Sequence, residues 1–462
     1  MLEAYKNLWC RRPGFEELEP PVLVLLFLSI TVPLFLILGL FEPDLALIPL
    51  AICGGLAVAV LVFDTTKFLF WLFPVAYFIN HYKINNILLV LIVISHILRM
   101  LQTGKVQLDI PFPTLFLFLL AAMANGVLNA LDPVIGRYTL IVVYLLPLAL
   151  FFITFNLSPT IHEIKTHLAI LSFIAGVTGW ISLAIYLGSG SERVVFHWES
   201  QNVGASFLGM VFPITLISLI DARTSRDKAF WAFALIGTTA GIISSQTRAV
   251  LFSCLIAVLY LALQDKKAMK VFLPILIAAL ILTPTLLISR FAMMFGRADV
   301  ADWSSIGRIE IWYNSLKMLP TYLWSGMGCG SYKIIYATRF PDSLILAPHP
   351  HNIYLHLIFE WGIVGMLAFY AIVLNCLIRG HRATKSVVIQ PGSPARTLFA
   401  INAAVILLLV AGLMDSYIKD TMIESLLWMY LAYQLILSRR LRGPSSLNSE
   451  SSALFLSSNM RA

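Results

Sequence analysis

The chain has 462 residues, 59% of them apolar and only 12% charged, with a mean hydropathy of +0.86. A soluble chain averages about 45–50% apolar and about 25% charged residues, and at this length it would be divided into domains by polar linkers; that class is excluded. The net charge of +8 is first a statement about loops flanking a membrane and is no sign of nucleic-acid binding.

Residues 1–20 (MLEAYKNLWCRRPGFEELEP) are too polar for a signal peptide and read as a cytoplasmic N-terminus. A membrane-spanning helix needs about 20 mostly apolar residues. Such runs follow near 21–41, 45–63, 68–80, 84–101, 112–131, 136–155 and 166–188. A second group lies near 203–220, 229–244, 249–263, 270–288, 351–378, 398–415 and 420–438. The runs 68–80 and 249–263 are short, which leaves open whether they fully cross. The expected fold is an all-α integral membrane protein of 12–14 spans, about eleven of them within 21–288 and three within 351–438.

Charge sets the orientation. With the N-terminus inside and every run crossing, 21 of the 32 Lys and Arg residues fall on inside segments. Of the 11 outside, six lie in one long loop. Cytoplasmic segments of membrane proteins carry the basic excess, so both termini are predicted inside. Residues 439–462, with GPSSLNSESS, read as a disordered cytoplasmic tail. Cys10, Cys53, Cys254, Cys329 and Cys376 lie far apart without CxxC spacing, which indicates neither a disulfide framework nor a zinc site.

The polar mass outside the membrane is concentrated in 289–350, a loop before a late span. Loops of this length are functional or disordered. This one keeps Trp303, Ile306, Ile309, Ile311, Trp312, Leu316, Met318 and Leu319 at helical spacing, so an amphipathic helix over about 303–319 is predicted, followed by the glycine-rich turn SGMGCGSY. It reads as a folded lid.

Chemistry-bearing residues gather on the same side. PHPHNIYLHLIFEWGIVGMLAF places His349 and His351 at the mouth of a span, with Asn352 next and Gly362 and Gly365 within the expected helix. Pro348 and Pro350 hold the segment extended and Asn352 can cap the helix behind it. A histidine here can act as a general base near neutral pH; the alternative is an interfacial histidine with its stem in apolar surface. His356, one turn deeper, suits a helix–helix hydrogen bond. Arg248 (ISSQTRAVLF) sits between apolar runs, where a charge is costly and points to function. Arg308 (SSIGRIEIW) opens the amphipathic segment, and Arg193 lies beside His197, Glu199 and Asn202. Arginine suits phosphate and diphosphate oxygens; the alternative for Arg193 is a salt bridge with Glu192 or Glu199. No Walker, HExxH, GxSxG or DxD motif is present, and Glu42-Pro43-Asp44 is a weak acidic pair best read as a polar loop. His96 and Asp415 are the only near candidates for a mid-span ion path.

These residues match a family. His351-Asn352, nine residues, Gly362, two residues and Gly365 reproduce the HN(x9)GxxG pattern of the bacterial O-antigen ligase and polymerase superfamily. SQTRA resembles that family's arginine turn, with Ala249 where glycine is frequent. GRIEIW with GMGCGSY resembles the segment before its histidine, and WESQNVGASFLGM its asparagine-containing entry to a middle span. The resemblance implies a GT-C-like membrane glycosyltransferase of the bacterial inner membrane. It would take a glycan from undecaprenyl diphosphate on the periplasmic side and place it on a lipid A-core sugar or a related glycan acceptor. A polymerase would instead join lipid-linked repeat units, with a chain-length regulator as a possible partner; a lipid-linked sugar flippase is the remote alternative. The implied transfer is inverting and uses neither metal nor cofactor. On it, Arg248, Arg308 and Arg193 hold the diphosphate, His351 orients or deprotonates the acceptor hydroxyl, His349 is the second candidate base, and Asn352 holds the histidine or caps its helix. The long loop would close over both substrates and exclude water.

Overall fold

The computed structural model describes residues 73–79, 82–103, 108–189, 193–196, 198, 200–264, 270, 303–343, 345–385, 387 and 390–442. The candidate spans 21–41 and 45–63 lie outside these residues, as do 270–288 apart from Lys270, 1–20, the tail beyond Arg442, Glu42, Asp44, Glu192, His197 and Glu199.

Every regular element among the described residues is helical, and the chain is an all-α integral membrane protein. After a short helical turn at Phe73–Val75 and Ala76–Ile79 come α1 (Tyr82–Thr103), α2 (Pro113–Leu128) and α3 (Pro133–Leu157, π-helical over Thr139–Leu145). There follow α4 (Ile161–Ser189), α5 (Gln201–Asp221), α6 (Ser225–Ser245), α7 (Arg248–Gln264), α8 (Trp303–Tyr322) and α9 (Tyr332–Arg339). The chain closes with α10 (Ile353–Lys385), α11 (Pro394–Ala411) and α12 (Thr421–Arg442). Among the described residues, five of these (α3, α4, α5, α10 and α11) are long and apolar enough to cross a membrane; α2 and α7 are shorter apolar helices.

Position in the bundle follows from what each helix can leave exposed. In α5 no charge precedes Asp221, and it is an inner helix packed among α4, α6, α7 and α11. α12 is buried along Met422–Ser438 between α3, α10 and α11. α1 instead keeps Ile87, Ile94, Ile97 and Leu101 exposed, a surface suited to lipid. In lipid, helices associate through close packing of small residues, and α4 meets α6 this way. A Cβ on Gly179 would lie 1.8 Å from the Gly237 carbonyl oxygen, and one on Gly237 would lie 2.3 Å from that of Gly176.

The loops that charge assigns to opposite sides gather at opposite ends. At one end Arg193 bonds the Ser245 carbonyl, Asn202 bonds Asp415, and Asn125 and Asn129 bond the Ser325 carbonyl. At the other, Asp221 pairs with Arg396, Lys165 with the Gly392 carbonyl, and Asp109 with Arg439. The described part of the long loop is folded over the first end. There α8 and α9 share a small core of Ile311, Met318, Tyr332, Ile335 and Tyr336, seated on Phe359 of α10.

One correction concerns α10. Its expected span over 351–378 is not a continuous helix, because Gly362 is non-helical (φ 74°, ψ 176°). That region of backbone space is essentially reserved for glycine. The groups freed by the break are met by the loop after α8: Ile363 N–H donates to the Leu323 carbonyl at 2.7 Å and Met327 N–H to that of Phe359 at 2.6 Å. Gly362 is thus where the external loop is spliced into the bundle. Just above, the buried Glu360 carboxylate accepts the Gly330 N–H at 3.1 Å.

Candidate active site

The segment before α10 is stitched to the turn between α11 and α12. Ile353 N–H donates to the Gly412 carbonyl at 2.7 Å, Asn352 N–H to Ser416 Oγ at 3.1 Å, and Asn352 Nδ2 to the Leu413 carbonyl at 3.0 Å. Asn352 Oδ1 accepts the Tyr354 and Leu355 N–H groups at 2.9 and 3.0 Å, a helix N-cap. Its side chain is therefore occupied in holding the segment. Trp312 Nε1 of α8 donates to the Pro350 carbonyl at 3.0 Å and fixes the loop side. His351 is held at φ 46°, left-handed for a residue with a side chain. Such strain persists where surrounding bonds overdetermine it, and it concentrates at functional sites.

This stitching brings Asp415 to His351. Asp415 closes the predicted span 398–415, but α11 ends at Ala411, and the carboxylate lies in the turn beyond it. His351 Nδ1 lies 3.0 Å from Asp415 Oδ1, Asn202 Nδ2 donates to Oδ2 at 2.7 Å, and an Arg308 guanidinium nitrogen lies 3.9 Å from Oδ2. Burial pushes the Asp415 carboxyl up, but the hydrogen bond from His351 and the charges of His351, His349 and Arg308 outweigh it and hold it well below the carboxylate range. An ionised carboxylate only accepts, so Nδ1 of His351 carries a hydrogen, and in the neutral ring Nε2 is the acceptor. The Asp415 side chain is 7% exposed and that of His351 24%, so the histidine is the member of the couple that can meet a substrate.

Cations ring the couple. Arg193 donates to Asn202 Oδ1 and to the Ser245 carbonyl, both at 2.9 Å, and so reaches Asp415 through one asparagine. Thr247 Oγ1 joins at 3.3 Å from Asn202 Oδ1. Arg248, half-buried, follows Thr247 as the first residue of α7 and is carried to the same end of the bundle. His349 is buried; its ring lies 4.1 Å from that of His351, its Nδ1 accepts the His351 N–H at 3.3 Å, and its Nε2 lies 2.5 Å from Lys419 Nζ. Burial, with the charges of Lys419 and His351, pushes the His349 pKa well below the usual histidine value. Deeper in, Tyr144 of α3 bonds His356 Nε2 at 3.3 Å, a helix–helix link.

Among the described residues, His349, His351 and Asp415 offer three donor atoms within 4.8 Å of one another. A cation seated on all three would have to displace Lys419 from His349 and share the carboxylate with His351. The structure thus brings together His349, His351, Asn352, Arg193 and Arg308, and adds Asp415, Lys419 and Asn202. Sequence reasoning noted Asp415 only as a near candidate, with His96, for a mid-span ion path. The signal for it was an acidic residue, with a lysine four residues on, at the outer mouth of the span following the histidine motif.

Fold and site define a multi-pass helical membrane protein whose polar groups converge on a histidine–carboxylate couple at one end. Residues 232–370 match the family model described as O-antigen ligase, which supports the O-antigen ligase superfamily as the class of this chain and indicates a glycosyltransferase-like ligase or polymerase. The matched stretch holds Arg248, Arg308, His349, His351, Asn352, Gly362 and Gly365, while Arg193, Asp415 and Lys419 fall outside it. No curated protein matches the chain.

Proposed function

We propose that this protein transfers a glycan from undecaprenyl diphosphate to a hydroxyl of lipid A-core or a related acceptor, on the periplasmic face of the bacterial inner membrane. The observation that carries the reading is the Asp415–His351 couple at 3.0 Å with Arg308 beside it. The acceptor hydroxyl gives its proton to His351 Nε2 as its oxygen attacks the anomeric carbon. The bond from that carbon to the diphosphate oxygen breaks on the opposite face, with inversion, and the electron pair leaves with the diphosphate. Asp415 stabilises the imidazolium that forms. Arg308, Arg193 and Arg248 supply fixed positive charge for the leaving diphosphate, the role a metal ion plays elsewhere, and Lys419 adds a titratable one. The folded outer loop, spliced at Gly362, covers the site and limits water.

Joining lipid-linked repeat units would use the same chemistry with a different acceptor. The test is transfer from a synthetic undecaprenyl-diphosphate glycan by purified, folded variants, scored with both lipid A-core and a second lipid-linked unit as acceptor. His351→Ala is expected to lower kcat by about 10²–10⁴-fold, the usual worth of a general base, and Arg308→Ala by about 10²–10³-fold, as for a lost charge stabiliser. Asp415→Asn should approach the His351→Ala loss. Near wild-type turnover in all three would refute the assignment. Activity that persists in chelator supports the metal-free reading; loss restored by one divalent ion would replace it.

A further inference from the structure

At the end of the bundle opposite the candidate active site, α4, α5, α6 and the start of α11 enclose a cavity of about 500 Å³. Its inner wall is apolar, with Leu168, Ile214 and Ile217 buried in the span region. Its rim is polar: Lys165, Arg223 and Asp227 are exposed there, at the level where the helices end. The remaining wall carboxylate, Asp221, is occupied. It pairs with Arg396 at 2.8 Å and accepts the Gly392 N–H at 2.9 Å. Lys165 gives one of its three donors to the Gly392 carbonyl and keeps two. Trp231 stands on the wall beside them, the residue type that marks the head-group level of a bilayer.

Ligand sites run to about 300–1,000 Å³, and this one is apolar at membrane depth and polar at its mouth, the order of an amphiphile. Two cations flanked by one uncommitted carboxylate do not suit a purely anionic head group, because Asp227 would face a second negative charge. They suit a head group carrying both signs. We propose that this cavity binds a zwitterionic aminophospholipid, its phosphate on Lys165 and Arg223, its primary ammonium on Asp227, and its first acyl carbons against Leu168, Ile214 and Ile217. Basic pockets between spanning helices are established lipid head-group sites in general; here the acid at the rim sets which lipid. The site shares no residue with the transfer machinery, so it stands or falls independently of the proposed reaction.

The test is native mass spectrometry of the full chain, delipidated in detergent and offered equimolar phosphatidylethanolamine, phosphatidylglycerol and phosphatidylcholine. The wild type should retain phosphatidylethanolamine at least about tenfold over the other two. Asp227→Asn should bring phosphatidylglycerol to parity, and Lys165→Ala with Arg223→Ala should lose the retained lipid. Arg223→Ala alone, at an exposed position, serves if the double variant does not fold. Equal retention of the three lipids by the wild type, or undiminished retention in Arg223→Ala, would overturn the proposal. So would complete displacement of the lipid by O-phosphoethanolamine, which would make the ligand a soluble phosphate.

Discussion

His351 owes its chemistry to a residue 64 positions away. Without Asp415 its ring could present either nitrogen; the carboxylate commits Nδ1, and in the proposed reaction Nε2 is the base. Lys419 is the other residue whose role is defined by neighbours. Loss of hydration lowers its ammonium below the ordinary lysine value of 10.5, and the charges of Asp415 and Asp420 oppose that shift. If the ammonium binds the diphosphate, transfer falls as pH rises through its lowered pKa. Arginine stays charged throughout this range. Lys419→Arg should therefore keep transfer and abolish the alkaline limb in a kcat/KM–pH profile. The same limb in Lys419→Arg would assign the titration to another group. Asp415, held ionised, has a folded pKa below its unfolded value of about 3.9. Its contribution to stability is present above that value and is lost as pH falls through the folded pKa.

At the scale of elements, the interrupted α10 matters most. Its first part, Ile353 to Trp361, aims the motif, and the break at Gly362 receives the loop backbone. A Cβ on Gly362 would stand 2.1 Å from the Trp324 carbonyl oxygen, in a conformation already costly for any other residue. Gly362→Ala should destabilise the fold by about 1–3 kcal/mol from backbone strain alone, with more from the contact, and should depress transfer because the outer loop is displaced. Thermal unfolding in detergent followed by size exclusion checks the first and the transfer assay the second. A variant as stable and active as wild type would show that the splice is dispensable. The sequence pattern marks Gly362 and Gly365 but places them inside a regular helix. Apolar periodicity reports burial, and a half-turn of non-helical backbone leaves it unchanged. Gly365 serves packing instead, since a Cβ there would meet Ala122 of α2 at 2.8 Å.

Among the described residues, the ion pairs of Asp415 with His351 and Arg308 gather at one end of the bundle, and those of Asp221 with Arg396 and Asp109 with Arg439 at the other. We expect the end bearing His351 to face the periplasm. Thr338→Cys, exposed on α9, and Ser225→Cys, exposed at the start of α6, each in a chain whose five native cysteines are replaced by serine, test this with a membrane-impermeant maleimide. Thr338→Cys should label in intact spheroplasts and Ser225→Cys only after permeabilisation; the reverse would invert the orientation. The membrane class, the all-α architecture and the histidine motif were legible in the sequence, because span length, apolar periodicity and the spacing of HN(x9)GxxG are local properties of the chain. Folding alone assembled the site. Asp415, Lys419, Asn202 and Arg193 stand at four separated positions, and only the meeting of α5, α10 and the α11–α12 turn links them around His351 and His349. Charge interactions act over a few ångströms of space and carry no trace of sequence distance, so the pairing of His351 with Asp415 was decided by tertiary structure.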